Sequence, residues 1–127
     1  MIIITAEFDL ADPSTMADAM AAAVPLQQST LYDEPGCHAY VFAPDPGRPG
    51  RVQVYELWED EATLAAHFQH SNYLDMGRAL MEVGLKGAVS TKFRVTAVEP
   101  VYDENHRARA NFFTQDEQRP HVDFLIA

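Results

Sequence analysis

The sequence predicts an α+β domain of the ferredoxin-like kind. Its elements run β-α-β-β-α-β, and one antiparallel sheet carries the helices on one face. Three observations carry the prediction. Alternating, β-branched runs recur at 1–10, 37–43, 51–59 and 88–98. Helical stretches separate the first run from the second and the third from the fourth. A proline- and glycine-rich loop, PDPGRPG at 44–50, joins the two middle runs as a hairpin connector would.

Residues 1–10 are apolar from the start and read as a first strand. They have neither a basic flank nor a small-residue cleavage site, so they do not read as a signal peptide. Asp12-Pro13 supplies an N-cap with proline at the first helical position. Met16, Met20, Ala23, Val24, Gln27 and Leu31 follow at helical spacing, and Pro25 within the run predicts a kink or interruption. Asp33-Glu34-Pro35-Gly36 is a turn. In the third strand Val52, Val54, Glu56 and Trp58 share one face, while Gln53, Tyr55, Leu57 and Glu59 share the other. Asp60 caps the helix EATLAAHFQ. Ser71-Asn72 starts a further segment running to about residue 85, with Ser71 the expected cap and Gly84 and Gly87 bracketing its end. The fourth strand, 88–98, is closed by Pro100.

The expected organisation is one domain over 1–102 and a C-terminal extension over 103–127. Residues 103–120 are polar and mixed in charge, whereas the last seven, HVDFLIA, turn apolar again. Such an end suits a terminal strand docked on its own subunit or on a partner. Within the sheet, Val41, Tyr55, Leu57, Phe93 and Val95 place apolar side chains on both alternations. Helices cover only one face, so the other requires a partner, and a two-fold homodimer is the simplest one.

Composition narrows the function classes. Nineteen acidic against nine basic residues give a net charge of −10. That charge repels nucleic acid and anionic membranes, so neither is expected as a partner. No run approaches the ~18 apolar residues of a membrane span. The single cysteine, Cys37, rules out an intrachain disulfide and points to a reducing cytoplasm. It reads as a small hydrophobe rather than a nucleophile. No GxGxxG or phosphate-binding loop occurs, so no nucleotide cofactor is expected.

Residues 33–73 carry a more specific pattern. EPGC precedes the second strand, Glu56-x-Trp58-x-Asp60 ends the third, His67 follows seven residues after Asp60, and Ser71 and Tyr73 come next. On these marks the chain, over about residues 1–100, resembles the antibiotic biosynthesis monooxygenase family, which includes the quinol monooxygenases. The resemblance implies a dimeric α+β barrel with each cleft between helices and sheet. It also implies oxygenation with dioxygen and neither metal nor flavin, although some relatives degrade heme and others isomerise. Asn72 stands where many quinol-type members have a second histidine. Heme-degrading members use an asparagine on the first strand and a histidine on the second helical segment. Here Glu7 or Phe8 and the histidine-free SNYLDMGRALMEV occupy those places, which argues against heme.

Oxygenation without a cofactor needs an electron-rich phenol, quinol or anthrone, a base to form its anion, a dry pocket and donors to hold that anion. His67 is the candidate base, because imidazole titrates near neutral pH. It sits three residues after Leu64 and beside Phe68, at the edge of an apolar helix face, where a purely structural hydrogen bond is the alternative. Glu56 is the second catalytic candidate. It orients His67, takes a substrate proton, or instead pairs with Arg51, Arg78 or Arg94. Asn72 is the third, as a donor to a substrate carbonyl. Trp58, Tyr73, His38, Tyr40 and Phe68 are the candidate substrate contacts, with Trp58 either a stacking wall or a core plug. His67 and His70 with Glu56 offer three metal ligands, but no denser cluster accompanies them and no metal is expected. The expected activity is cofactor-independent oxidation of a small aromatic phenol, quinol or anthrone by dioxygen. The alternative is a small-molecule binding protein or an isomerase-like enzyme of the same fold.

Overall fold

The structure is a computed structural model and describes residues 1–113. Strands β1 (Ile2–Leu10), β2 (Cys37–Pro44), β3 (Arg51–Trp58) and β4 (Leu85–Arg94) alternate with helices α1 (Met16–Asp33), α2 (Glu61–Gln69) and α3 (Ser71–Glu82). The sheet is antiparallel, in the order β2-β3-β1-β4. This is the expected ferredoxin-like α+β fold, with the second helical region divided between α2 and α3.

Strand alternation builds the core. Ile2, Ile4 and Phe8 of β1, Tyr40 of β2 and Val52, Val54 and Trp58 of β3 are buried against Leu64, Met76 and Leu80 of the helices. Burying each such side chain contributes about 1.5–3 kcal/mol. On the opposite face Val41, Tyr55, Val89 and Phe93 stay exposed. They fall in register around β1, since Thr5 pairs with Tyr55, Ile3 with Phe93 and Glu7 with Val89.

Helix α1 departs from expectation in two ways. Asp12 caps as anticipated, accepting from the Ser14 amide at 3.0 Å, but it caps a 3₁₀ turn over Pro13–Thr15 that precedes the α-helix. Pro25 does not break α1, which runs 18 residues straight through it. Pro25 and Ala21, whose carbonyl loses its amide partner, both lie on the exposed side, so the missing bond falls on the solvent-facing flank of the helix and not in the core. Val24 shares that side and is not part of the packed face. Ala23 and Thr30 are buried instead, and Gln27 accepts from the Phe42 amide at 2.9 Å, tying α1 to edge strand β2.

The fourth strand begins at Leu85 and ends at Arg94, earlier than the 88–98 read from the sequence, and α3 stops at Glu82. Gly84 reverses the chain at φ +78, where a Cβ would lie 2.8 Å from that of Ala11. Gly87, at φ +64, is not a helix terminator. It sits within β4 where the register with β1 shifts between Glu7 and Asp9, as a glycine does in a bulge. Beyond Arg94 the chain leaves the sheet. Asp103 gathers the amides of Asn105 and Arg107 and the guanidinium of Arg109, closing a loop with a Tyr102–Ala108 bridge. The apolar end 121–127 lies outside the described residues. Among those described, no helix is long and apolar enough to cross a membrane.

Candidate active site

The site begins in the turn between α1 and β2. Glu34 is the C-cap of α1, and Pro35 and Gly36 (φ +80) form a type II turn closed by the Cys37 amide on the Glu34 carbonyl at 3.4 Å. Only glycine fits at position 36, because a Cβ there would meet the Thr63 side chain at 2.5 Å. Thr63 belongs to the capping box of α2, with Asp60 accepting from its amide at 2.8 Å. The turn carrying Glu34 is thus pressed against the helix carrying His67.

The result is a buried polar network. His67 is 1% exposed, Asn72 6% and Glu34 7%. Nδ1 of His67 donates to Oε1 of Glu34 at 2.8 Å. Oε2 of the same carboxylate accepts from Nδ2 of Asn72 at 3.1 Å, and that amide also reaches Oγ of Ser29 at 3.1 Å. Both carboxylate oxygens are therefore engaged. His70, in extended conformation between α2 and α3, accepts the Asn72 amide on Nδ1 at 3.0 Å. It, rather than Ser71, caps α3.

The His67 ring is held on all sides by aromatics. Trp58 lies against it at 4.5 Å and 36°, Tyr40 and Tyr73 meet it edge-on at 5.5 and 5.4 Å, and Phe68 is 5.9 Å away. The ring also lines a cavity of about 350 Å³ between the sheet and helices α2 and α3. Ile4, Phe8, Val54, Met76 and Leu80 make most of that wall apolar, and Glu56, Tyr40 and Tyr73 add polar groups. With Nδ1 committed to Glu34, Nε2 has no protein partner among the described residues and is the nitrogen left for a molecule in the cavity.

Burial sets the charge states. It pulls His67 below its ordinary value, against the opposing pull of Glu34, so the imidazole is a neutral base at neutral pH. It pushes Glu56 above the usual carboxylate range, helped by the charge of Glu34 and opposed by the hydrogen bond from Trp58. It also raises the Tyr40 phenol, which stays protonated as a donor, and lifts Cys37 to about 12, which leaves that thiol inert.

The family model for antibiotic biosynthesis monooxygenases matches residues 1–79. The chain belongs to the antibiotic biosynthesis monooxygenase family. Solved structures with the same fold include a candidate antibiotic biosynthesis monooxygenase of Deinococcus radiodurans, at 18% identity and TM-score 0.71, covering 81% of this chain and 100% of that one. A second, from Caulobacter crescentus, has 22% identity and TM-score 0.67 and covers 77% and 90% of the two chains. A conserved protein of Methanosarcina mazei has 22% identity and TM-score 0.64, with coverage of 74% and 92%. No curated protein matches the sequence significantly.

Within this family fold the anticipated site residues divide. His67, Glu56, Tyr40, Phe68 and Tyr73 all line the cavity. Asn72 does not; it is buried behind His67 as a holder of Glu34. Trp58 is fully buried and backs the imidazole rather than walling the cavity. His38 turns away to pair with Glu59. It is the extra residue where the register of β2 on β3 shifts between Cys37 and Ala39, so it loses the face it would otherwise share with Tyr40. Among the described residues Glu56 neither orients His67 nor pairs with an arginine. Its Oε1 accepts from Trp58 Nε1 at 2.9 Å, while Arg51 goes to Asp9, Arg78 to Asp75 and Arg94 to Glu61. Among the described residues no group of three or more His, Cys, Asp or Glu side chains is arranged to hold a metal ion. The residue that sequence reasoning missed is Glu34. Its signal is EPGC, in which the proline and glycine announce the turn while nothing local announces the partner of the glutamate.

Proposed function

We propose that the protein is a cofactor-independent monooxygenase of a small aromatic phenol, quinol or anthrone, working as a cytoplasmic homodimer. The observation that carries this reading is the buried His67, fixed through Nδ1 by Glu34 and leaving Nε2 at an apolar cavity. Nε2 takes the proton of the phenol or of the enol form of an anthrone, and the Glu34 carboxylate stabilises the imidazolium that forms. Tyr40 and Tyr73, which line the cavity, are the phenols assigned to donate to the substrate oxyanion. The anion gives one electron to dioxygen, and the radical pair recombines into a carbon–oxygen bond. For a substrate carbon bearing two hydrogens, loss of water then leaves one oxygen as a carbonyl and releases the other as water, with all four electrons supplied by the substrate.

The test is oxygen uptake by the purified protein with hydroquinones, anthrones and polyphenols, alongside His67→Gln. Uptake by the parent that is lost in the variant supports the reading. No uptake, with ligands still binding the cavity, favours the binding-protein or isomerase alternative. The homodimer is tested on the exposed sheet face that holds Val41, Tyr55, Val89 and Phe93. Tyr55→Glu should convert the dimer to monomer in sedimentation, and an unchanged oligomeric state would place the interface elsewhere.

A further inference from the structure

Beside the His67 cavity lies a second groove of about 510 Å³, formed by α2, the start of β1 and the end of β4. Phe68 lines both spaces, so they share a wall. The floor of the groove is apolar, made by Ile2, Leu64, Ala65 and Phe68, and its rim carries Lys92, Arg94 and Glu61. Two cations converging on one groove stand out in a chain of net charge −10. Arg94 donates to Glu61 at 2.9 Å, whereas Lys92 makes no ion pair among the described residues. The rim therefore holds one positive charge in excess. Alternate residues of β4 connect the two spaces. Ser90, Lys92 and Arg94 pair in register with Ala6, Ile4 and Ile2, and Ser90 lines the first cavity while the other two line the groove.

We propose that this groove is a subsite for a carboxylate borne by the aromatic substrate, with Lys92 as the cation that recognises it. The inference rests on the reading of the His67 cavity as the substrate site. The apolar floor favours an aromatic ring or short arm over a bare inorganic ion, and one uncompensated positive charge matches a monoanion. Ser90 and Lys92 are two residues apart on a strand, about 7 Å. That spacing puts the cation of the groove within the length of a bicyclic aromatic from the wall of the His67 cavity, so the test ligand carries its hydroxyl at one end and its carboxylate at the other.

The experiment is anaerobic titration calorimetry with a hydroxynaphthoic acid, hydroxyl and carboxyl at opposite ends, against its neutral methyl ester. The acid should bind the parent protein about three- to tenfold more tightly than the ester. That preference should shrink at high salt. Lys92→Met should abolish it without changing ester affinity, while Lys86→Met, on the same strand but outside the groove, should leave it intact. Equal affinities for acid and ester, a preference that survives Lys92→Met, or binding of neither compound would overturn the subsite. Because dioxygen is absent, the readout is independent of turnover. A Lys92-dependent preference in a protein that consumes no oxygen would remove the oxygenase reading and leave the subsite standing.

Discussion

Two regions of the molecule each bury a glutamate, one behind His67 and one on the wall of the cavity that His67 lines, and they treat it differently. In the turn ahead of β2, Glu34 has both oxygens engaged, one by His67 and one by Asn72. In the middle of β3, Glu56 receives a single hydrogen bond among the described residues, from Trp58, and its residue lines the cavity. With a donor on each oxygen Glu34 holds its neighbours in place, whereas burial raises Glu56, which has capacity left for a ligand. Burial alone does not assign a role; the number of donors that meet each oxygen does.

The largest effect should come from the group that Glu34 fixes. His67→Gln keeps an amide donor for the carboxylate but supplies no base, so turnover should fall about 10²- to 10⁴-fold while the circular dichroism spectrum is unchanged. A loss under tenfold would remove His67 from the chemistry. Next in size is Glu34→Ala, which strands the buried donors of His67 and Asn72 and should cost about 2–5 kcal/mol in urea unfolding. Glu34→Gln should recover part of that stability yet not the rate, because a neutral amide cannot stabilise the imidazolium. By contrast, Glu56→Gln keeps the acceptor for Trp58 and removes a costly buried charge, so stability at pH 7 should stay level or rise by about 1 kcal/mol. If Glu56→Gln proves as destabilising as Glu34→Ala, the distinction between the two carboxylates fails.

The smallest effects concern pH, and they have opposite signs. Burial holds His67 below 6.5, so the native state binds its proton less readily than the unfolded chain. Its contribution to stability is complete above pH 6.5 and is lost as pH falls through the native value. Glu56 is raised above 4.5, so its contribution is complete below pH 4.5 and is lost as pH rises through its native value. His67→Gln should flatten the first dependence and Glu56→Gln the second in unfolding curves taken across pH. For the proposed activity of the parent protein, the acid limb of kcat/KM should have its midpoint below 6.5, and a midpoint above that value would contradict a desolvated His67.

The sequence by itself determined the strand and helix order, the inward face of β3 and the cap of α2. These follow from residue periodicity and from local hydrogen bonding by Asp60, which act within a few positions along the chain. It also marked His67 and four of its neighbours in the cavity wall, Glu56, Tyr40, Phe68 and Tyr73, because an imidazole at the margin of an apolar helix face is visible in spacing alone. Bulges and long-range pairing were beyond it. His38 is the extra residue of a bulge and turns away from the cavity, and Gly87 reads as a terminator although it sits in a strand. The partners of the buried carboxylates were also illegible. Glu34 and His67 lie 33 residues apart, and only the packing of the Gly36 turn on Thr63 brings them together. Periodicity reports which face a residue occupies, but a hydrogen bond between two elements depends on their docking to within an ångström, and only the tertiary structure decides that.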